Sequence, residues 1–103
     1  MSQWVKVGRE DSFENGVQLV EHGGKPIAIF HLEDGYYAIE DTCSHEEASL
    51  SEGEIEDGQI ECPLHGAMFN IRTGKNVSLP AVLPVKSYPL KIEMGEIYLE
   101  LED

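Results

Sequence analysis

The sequence predicts an all-β domain, a sandwich or barrel of short strands, and three observations carry that prediction. Short apolar and β-branched runs recur along the chain between Gly, Asp-Gly and Pro punctuation, the pattern of strands separated by turns. No segment repeats apolar positions at the three- and four-residue spacing that a helix would bury. The 10 glycines and 5 prolines among 103 residues point to many tight turns. A chain of this length holds one domain with one modest core, so a single domain over residues 1–103 is expected.

Taken in order, Trp4-Val5-Lys6-Val7 reads as the first strand. Val17-Gln18-Leu19-Val20 and Ile27-Ala28-Ile29-Phe30 flank Gly23-Gly24, which marks a hairpin. Asp34-Gly35 turns the chain into Tyr36-Tyr37-Ala38-Ile39. The acidic stretch from Glu46 to Ser51 allows at most one helical turn. Asp57-Gly58 opens the strand Gln59-Ile60-Glu61, and Met68-Phe69-Asn70-Ile71 ends at the turn Thr73-Gly74. The last two strands, Val85 to Glu93 and Ile97 to Leu101, pair around Met94-Gly95-Glu96, with Pro89 at an edge or a bulge.

Between these strands sits the stretch that carries chemistry. Cys43-Ser44-His45 is followed, after sixteen residues, by Cys62-Pro63-Leu64-His65. Cys and His are the side chains that bind zinc, copper and iron–sulfur iron. Each pair follows a predicted strand end, in a loop on a rigid scaffold, where binding residues are commonly placed. Residues two apart in a loop tend to point in different directions, which suits a pair split between two metal ions. One iron would then take Cys43 and Cys62, and the other His45 and His65, the ligand set of a Rieske [2Fe–2S] centre. Two alternatives stay open on the residues alone. A structural Cys₂His₂ zinc site would make the chain an interaction domain, although zinc sites favour other spacings. A Cys43–Cys62 disulfide would need an oxidising compartment and leave both histidines unexplained.

The pairs C43-S-H45 and C62-P-L-H65-G-A resemble the two cluster-binding loops of Rieske iron–sulfur domains. The resemblance extends to R72-T-G-K75 and to L79-P-A-V-L-P-V85, which is similar to the proline-rich loop covering the cluster in that family. It spans nearly the whole chain and is nearest to the small ferredoxins of bacterial multicomponent, aromatic-ring oxygenases. It implies a β-sandwich or barrel base with a small cluster-binding subdomain, approximately 41–69, formed by two loops. It implies one [2Fe–2S] cluster held by Cys43, His45, Cys62 and His65. It also implies an electron carrier, with no catalytic residues of its own. A flavin-containing, NAD(P)H-dependent reductase would supply the electrons and a terminal oxygenase would receive them. A Rieske subunit bound tightly to another redox enzyme is the second reading.

The resemblance also separates branches of the family. High-potential members carry an additional disulfide, whose cysteines would fall at Ala48 and Leu64, and hydroxyls at the positions of Ala67 and Phe69. This chain departs from them at all four positions, which implies the low-potential type. Gly66, directly after a ligand, lets the backbone approach the cluster and take unusual dihedrals, so that N–H groups can donate to sulfur.

Composition narrows the function further. Acidic residues number 20 against 7 basic, for a net charge of −13. Nucleic acid and anionic membrane surfaces are poor partners for such a chain. No Lys or Arg occurs from Pro26 to Ile71, where Glu40, Asp41, Glu46, Glu47, Glu52, Glu54, Glu56, Asp57 and Glu61 crowd the ligand pairs. That face is either solvation alone or a means of steering basic redox partners. The cluster would use both cysteines, no disulfide framework remains, and neither a secretory leader nor a membrane-length apolar run is seen. A monomeric cytoplasmic carrier is therefore expected. His22, expected exposed, and His31, expected packed at a strand end, provide no second metal site. No nucleotide-binding glycine loop or flavin site is evident. Trp4 and the tyrosines read as core and sheet residues, not electron relays.

Overall fold

The run Ile27-Ala28-Ile29-Phe30 is apolar at successive positions, so both faces of its pleat must be covered. This run sets the layering of the molecule. A computed structural model describes residues 2–11, 13, 16–42, 49–63, 66–77 and 84–102. Its elements are β1 (Ser2–Arg9), β2 (Val17–His22), β3 (Lys25–Leu32), β4 (Gly35–Glu40), a 3₁₀ turn (Leu50–Glu52), β5 (Ile55–Glu56), β6 (Gln59–Glu61), β7 (Met68–Asn70), β8 (Ser87–Tyr88), β9 (Leu90–Glu93) and β10 (Glu96–Glu102). Three sheets result, ordered β1-β10-β9, β2-β3-β4-β8 and β5-β6-β7. The sheet containing β3 is the middle layer.

Each face of that layer has its own core. Ile27, Ile29 and Ala38 pack on Ile97, Leu99 and Leu101 of β10. Ala28, Phe30 and Ile39 face the other way, into a core with Leu50, Ile60, Cys62, Ala67, Phe69, Ile71 and Val85. Burial of an Ile or Phe contributes roughly 1.5–3 kcal/mol, so both coverings matter. The second core is the one that reaches a predicted ligand. The all-β architecture expected from the sequence is what the chain adopts.

The Gly23-Gly24 turn has φ of 60° and 79°, the left-handed pair that a two-residue hairpin needs. Several details differ from expectation. The strand from Val85 to Glu93 is split, with β8 on β4 and β9 on β10. Pro89 lies at the break, because it has no N–H for a ladder, while its carbonyl accepts the Glu100 N–H at 3.0 Å. The short β5, exposed at both residues, was not apparent in the sequence. The helical turn falls at Leu50–Glu52, at the end of the stretch expected for it. Residues 46–48 of that stretch lie outside the described residues. Trp4 sits in a sheet but not in a core, being 42% exposed with the Lys91 ammonium 4.6 Å from its ring centroid. His22 is half-buried instead of exposed. His31 is solvent-exposed yet packed, its ring stacked on Tyr36 at 4.1 Å.

Candidate metal centre

Strand β6 ends by delivering Cys62 into the second core, where the side chain is 1% exposed. The chain turns back at once. Cys62 N–H donates to the Ala67 carbonyl at 2.7 Å, and Glu61 pairs with Met68 on β7. The two ends of this segment, Cys62 and Ala67, are therefore held together by a backbone hydrogen bond at the start of the β6–β7 pairing. Gly66 has φ +71°, the left-handed conformation expected immediately after a ligand.

The 3₁₀ turn is joined to the strand that leads to Cys62 around Gly53. The Gly53 N–H donates to Leu50 O at 2.9 Å, ending the 3₁₀ turn, and Glu61 N–H donates to Glu54 O at 2.9 Å. A methyl group on Gly53 would overlap the Glu61 carbonyl, one residue before Cys62. The chain just after the 3₁₀ turn thus lies directly against the strand residue that precedes Cys62. Sequence reasoning missed Gly53, since an isolated Gly between turn-forming residues looks like any loop glycine.

The proline-rich segment is anchored to the same rim. Val77 N–H donates to Met68 O and Val85 N–H to Gly74 O, both at 2.8 Å. Glu40, the last residue of β4, receives the Lys86 N–H on its Oε1 and donates its own N–H to Lys86 O, each at 2.8 Å. All three segments leave and rejoin one connected part of the scaffold. Arg72, beyond β7, forks onto Asp34 through Nη2 at 2.9 Å and Nε at 3.1 Å. Those hydrogen bonds from Arg72 hold the Asp34 carboxyl below its ordinary value.

Of the expected ligands, Cys62 is placed, while Cys43, His45 and His65 lie outside the described residues, as do Ala48, Leu64 and 79–83 of the proline-rich segment. Among the described residues no three Cys, His, Asp or Glu side chains converge as a metal site. The surroundings fit an iron–sulfur cluster nonetheless. A thiol donor is set in an apolar shell, which would limit solvent at a metal, and Gly66 nearby in the chain takes the left-handed conformation. Ala67 and Phe69 are both fully buried beside it.

The acidic face needs one correction. Glu52, Glu54, Glu56, Asp57 and Glu61 are exposed, as expected of a solvated or steering surface. Asp41 is not part of it. It is 2% exposed, with both carboxylate oxygens hydrogen-bonded. Spacing and composition cannot tell such a carboxylate from its solvated neighbours.

Comparison with known proteins adds to this geometry. A model of the Rieske [2Fe–2S] domain matches residues 3–89. The chain is 42% identical to the 3-phenylpropionate/cinnamic acid dioxygenase ferredoxin subunit of Photorhabdus laumondii, over 100% of this chain and 98% of that protein. It is 41% identical to the anthranilate 1,2-dioxygenase ferredoxin subunit of Burkholderia cepacia, over 94% of this chain and 91% of the relative. In the complex of reduced oxygenase and oxidized ferredoxin of carbazole 1,9a-dioxygenase, one chain is 38% identical with a TM-score of 0.86. That match covers 96% of this chain and 97% of the other.

Proposed function

The chain belongs to the Rieske [2Fe–2S] domain family, and from that premise we propose that it passes single electrons from an NAD(P)H-dependent flavoprotein reductase to a terminal oxygenase. It is an electron carrier with one [2Fe–2S] cluster, not a catalyst. In our reading Cys43 and Cys62 bind one iron and His45 and His65 the other. Residues 1–103 form one domain, with the cluster-binding subdomain at approximately 41–69. The observation that carries the ligand reading is the buried Cys62, its N–H bonded to the Ala67 carbonyl, at the first position of the second ligand pair.

The cluster supplies one-electron chemistry; the chain supplies the seat and the docking face. The seat excludes water from the Cys62 side, and the exposed carboxylates from Glu52 to Glu61 present negative charge to a basic partner. The relatives matched at nearly equal identity belong to systems named for different compounds. Identity at this level supports an oxygenase partner and does not select its substrate. No helix among the described residues is long and apolar enough to cross a membrane, and we place the carrier in the cytoplasm.

The test is metal analysis with electron delivery. Protein from iron-replete cells should contain about two irons and two acid-labile sulfides per chain. Reduced protein should give the low-field paramagnetic signal of mixed Cys and His ligation. It should accept electrons from a flavoprotein reductase and be reoxidised by a terminal oxygenase. Stoichiometric zinc without sulfide would overturn the ligand reading. A loaded cluster that the oxygenase cannot oxidise would overturn only the partner.

A further inference from the structure

Asp41 is a buried carboxylate two residues before Cys43, and no cation pairs with it among the described residues. All of its polar atoms are engaged. Its N–H donates to Pro26 O at 3.1 Å, and its carbonyl accepts the Leu50 N–H at 2.6 Å. Its Oδ1 accepts the Ser51 N–H at 2.7 Å, and its Oδ2 accepts the Ser49 hydroxyl. The Ser49 and Ser51 hydroxyls also lie 2.9 Å apart. Thr42 and Ser49 form an antiparallel bridge directly above these contacts.

The bonds run between the two ends of one segment, 43–48, which contains Cys43 and His45. A backbone bridge alone fixes two residues and leaves register and angle to the next ones. The carboxylate adds hydrogen bonds to residues 49 and 51, so the returning strand is held over three positions. Asp41 itself is buried, and without it the half-buried Ser51 N–H and Ser49 hydroxyl would lose these acceptors. An apolar residue fills the space and satisfies neither. Solvent exposure is not what this carboxylate provides.

We infer that Asp41 is a positioning residue, closing the base of the first ligand segment through Ser49 and Ser51 before any iron arrives. The inference rests on the reading of Cys43 and His45 as ligands. It makes the flanks of that segment, Asp41 and Thr42 on one side and Ser49 to Ser51 on the other, an arrangement of the cluster-free chain, held by hydrogen bonds and not by a metal. Groups that orient metal ligands typically change metal retention by about 10–100-fold when removed.

Three variants test it, with cluster loss to an iron chelator and amide exchange as readouts. Asp41→Ala should lose iron and sulfide at least about tenfold faster than wild type. Asp41→Asn keeps an acceptor for the Ser51 N–H and can donate to Ser49, so it should restore slow loss. Ser49→Ala, which removes one of the two side-chain bonds, should fall between them. In cluster-free protein the Leu50 and Ser51 amides should be protected in wild type and Asp41→Asn. In Asp41→Ala they should exchange rapidly while the Ile29 and Leu99 amides stay protected, which separates local opening from unfolding. If Asp41→Ala fails to fold, Ser49→Ala and the wild-type exchange pattern decide. Equal cluster retention in Asp41→Ala, or rapid Leu50 and Ser51 exchange in cluster-free wild type, would overturn the inference. A wild-type protein that never loads a [2Fe–2S] cluster would instead sink the ligand reading on which it stands.

Discussion

Ala67→Ser combined with Phe69→Tyr should raise the reduction potential of the cluster. Both positions are fully buried in the core that holds Cys62, and Ala67 is hydrogen-bonded to Cys62 through the backbone. A hydroxyl placed there is out of water and must donate to something nearby. Reduction adds negative charge to the cluster, so a donor to sulfur favours the reduced state more than the oxidised one. A hydrogen bond to a charged group is worth roughly 1.5–3 kcal/mol, and only the difference between redox states reaches the potential. For a one-electron couple about 1.4 kcal/mol corresponds to roughly 59 mV. The expected rise is therefore tens of millivolts, up to about 100 mV, from a starting value near the low end of the Rieske range at about −150 mV. The assay is a redox titration of both proteins at one pH, with iron and sulfide content matched. An unchanged or lowered potential in a fully loaded double variant would show that these hydroxyls do not reach the sulfurs. A variant that fails to load would mean that an unsatisfied hydroxyl has disrupted the core, contrary to the same argument.

Three further perturbations probe the scaffold and the surface. Gly53→Ala drives a methyl group into the Glu61 carbonyl; overpacking of this kind costs about 1–3 kcal/mol, so a drop in Tm of roughly 4–8 °C for each kcal/mol is expected, and an unchanged Tm would refute the tight apposition. Electron transfer to the partners should slow as salt rises, because attraction to Glu52, Glu54, Glu56, Asp57 and Glu61 is screened over roughly 8 Å at physiological ionic strength. Rates flat up to several hundred millimolar salt would leave that face with solvation alone. Asp34 has its folded-state pKa depressed by Arg72, so the stability it contributes is present above the unfolded value and lost as pH falls through the folded one. Asp34→Asn should therefore flatten the acid limb of stability below about pH 4. The effect should be small, because the pair is exposed, and chemical denaturation between pH 2 and pH 7 would measure it.

Much of this protein is local in origin and was open to reading from the sequence. Gly23-Gly24 and Asp57-Gly58 supply left-handed turn residues at adjacent positions, which is a local steric property. The proposal of Cys43, His45, Cys62 and His65 as ligands likewise rests on residue type and spacing, and of the four Cys62 alone is among the described residues. The continuous run Ile27 to Phe30 announces a strand covered on both sides, but not by what. The tertiary structure decided the rest. It placed β1 against β10, a pairing between chain ends with no local signal. It split the chain at Pro89 between two sheets, since a missing N–H marks a break without saying where the next strand goes. It also sorted the carboxylates. Glu40 and Asp41 are adjacent and acidic in a run of similar residues, yet Glu40 receives the Lys86 N–H and Asp41 is buried against Ser49 and Ser51. Burial depends on which distant segments fold over a residue, and Leu50 and Cys62 meet Ala28 and Ile39 in a core that only the assembled sheets create.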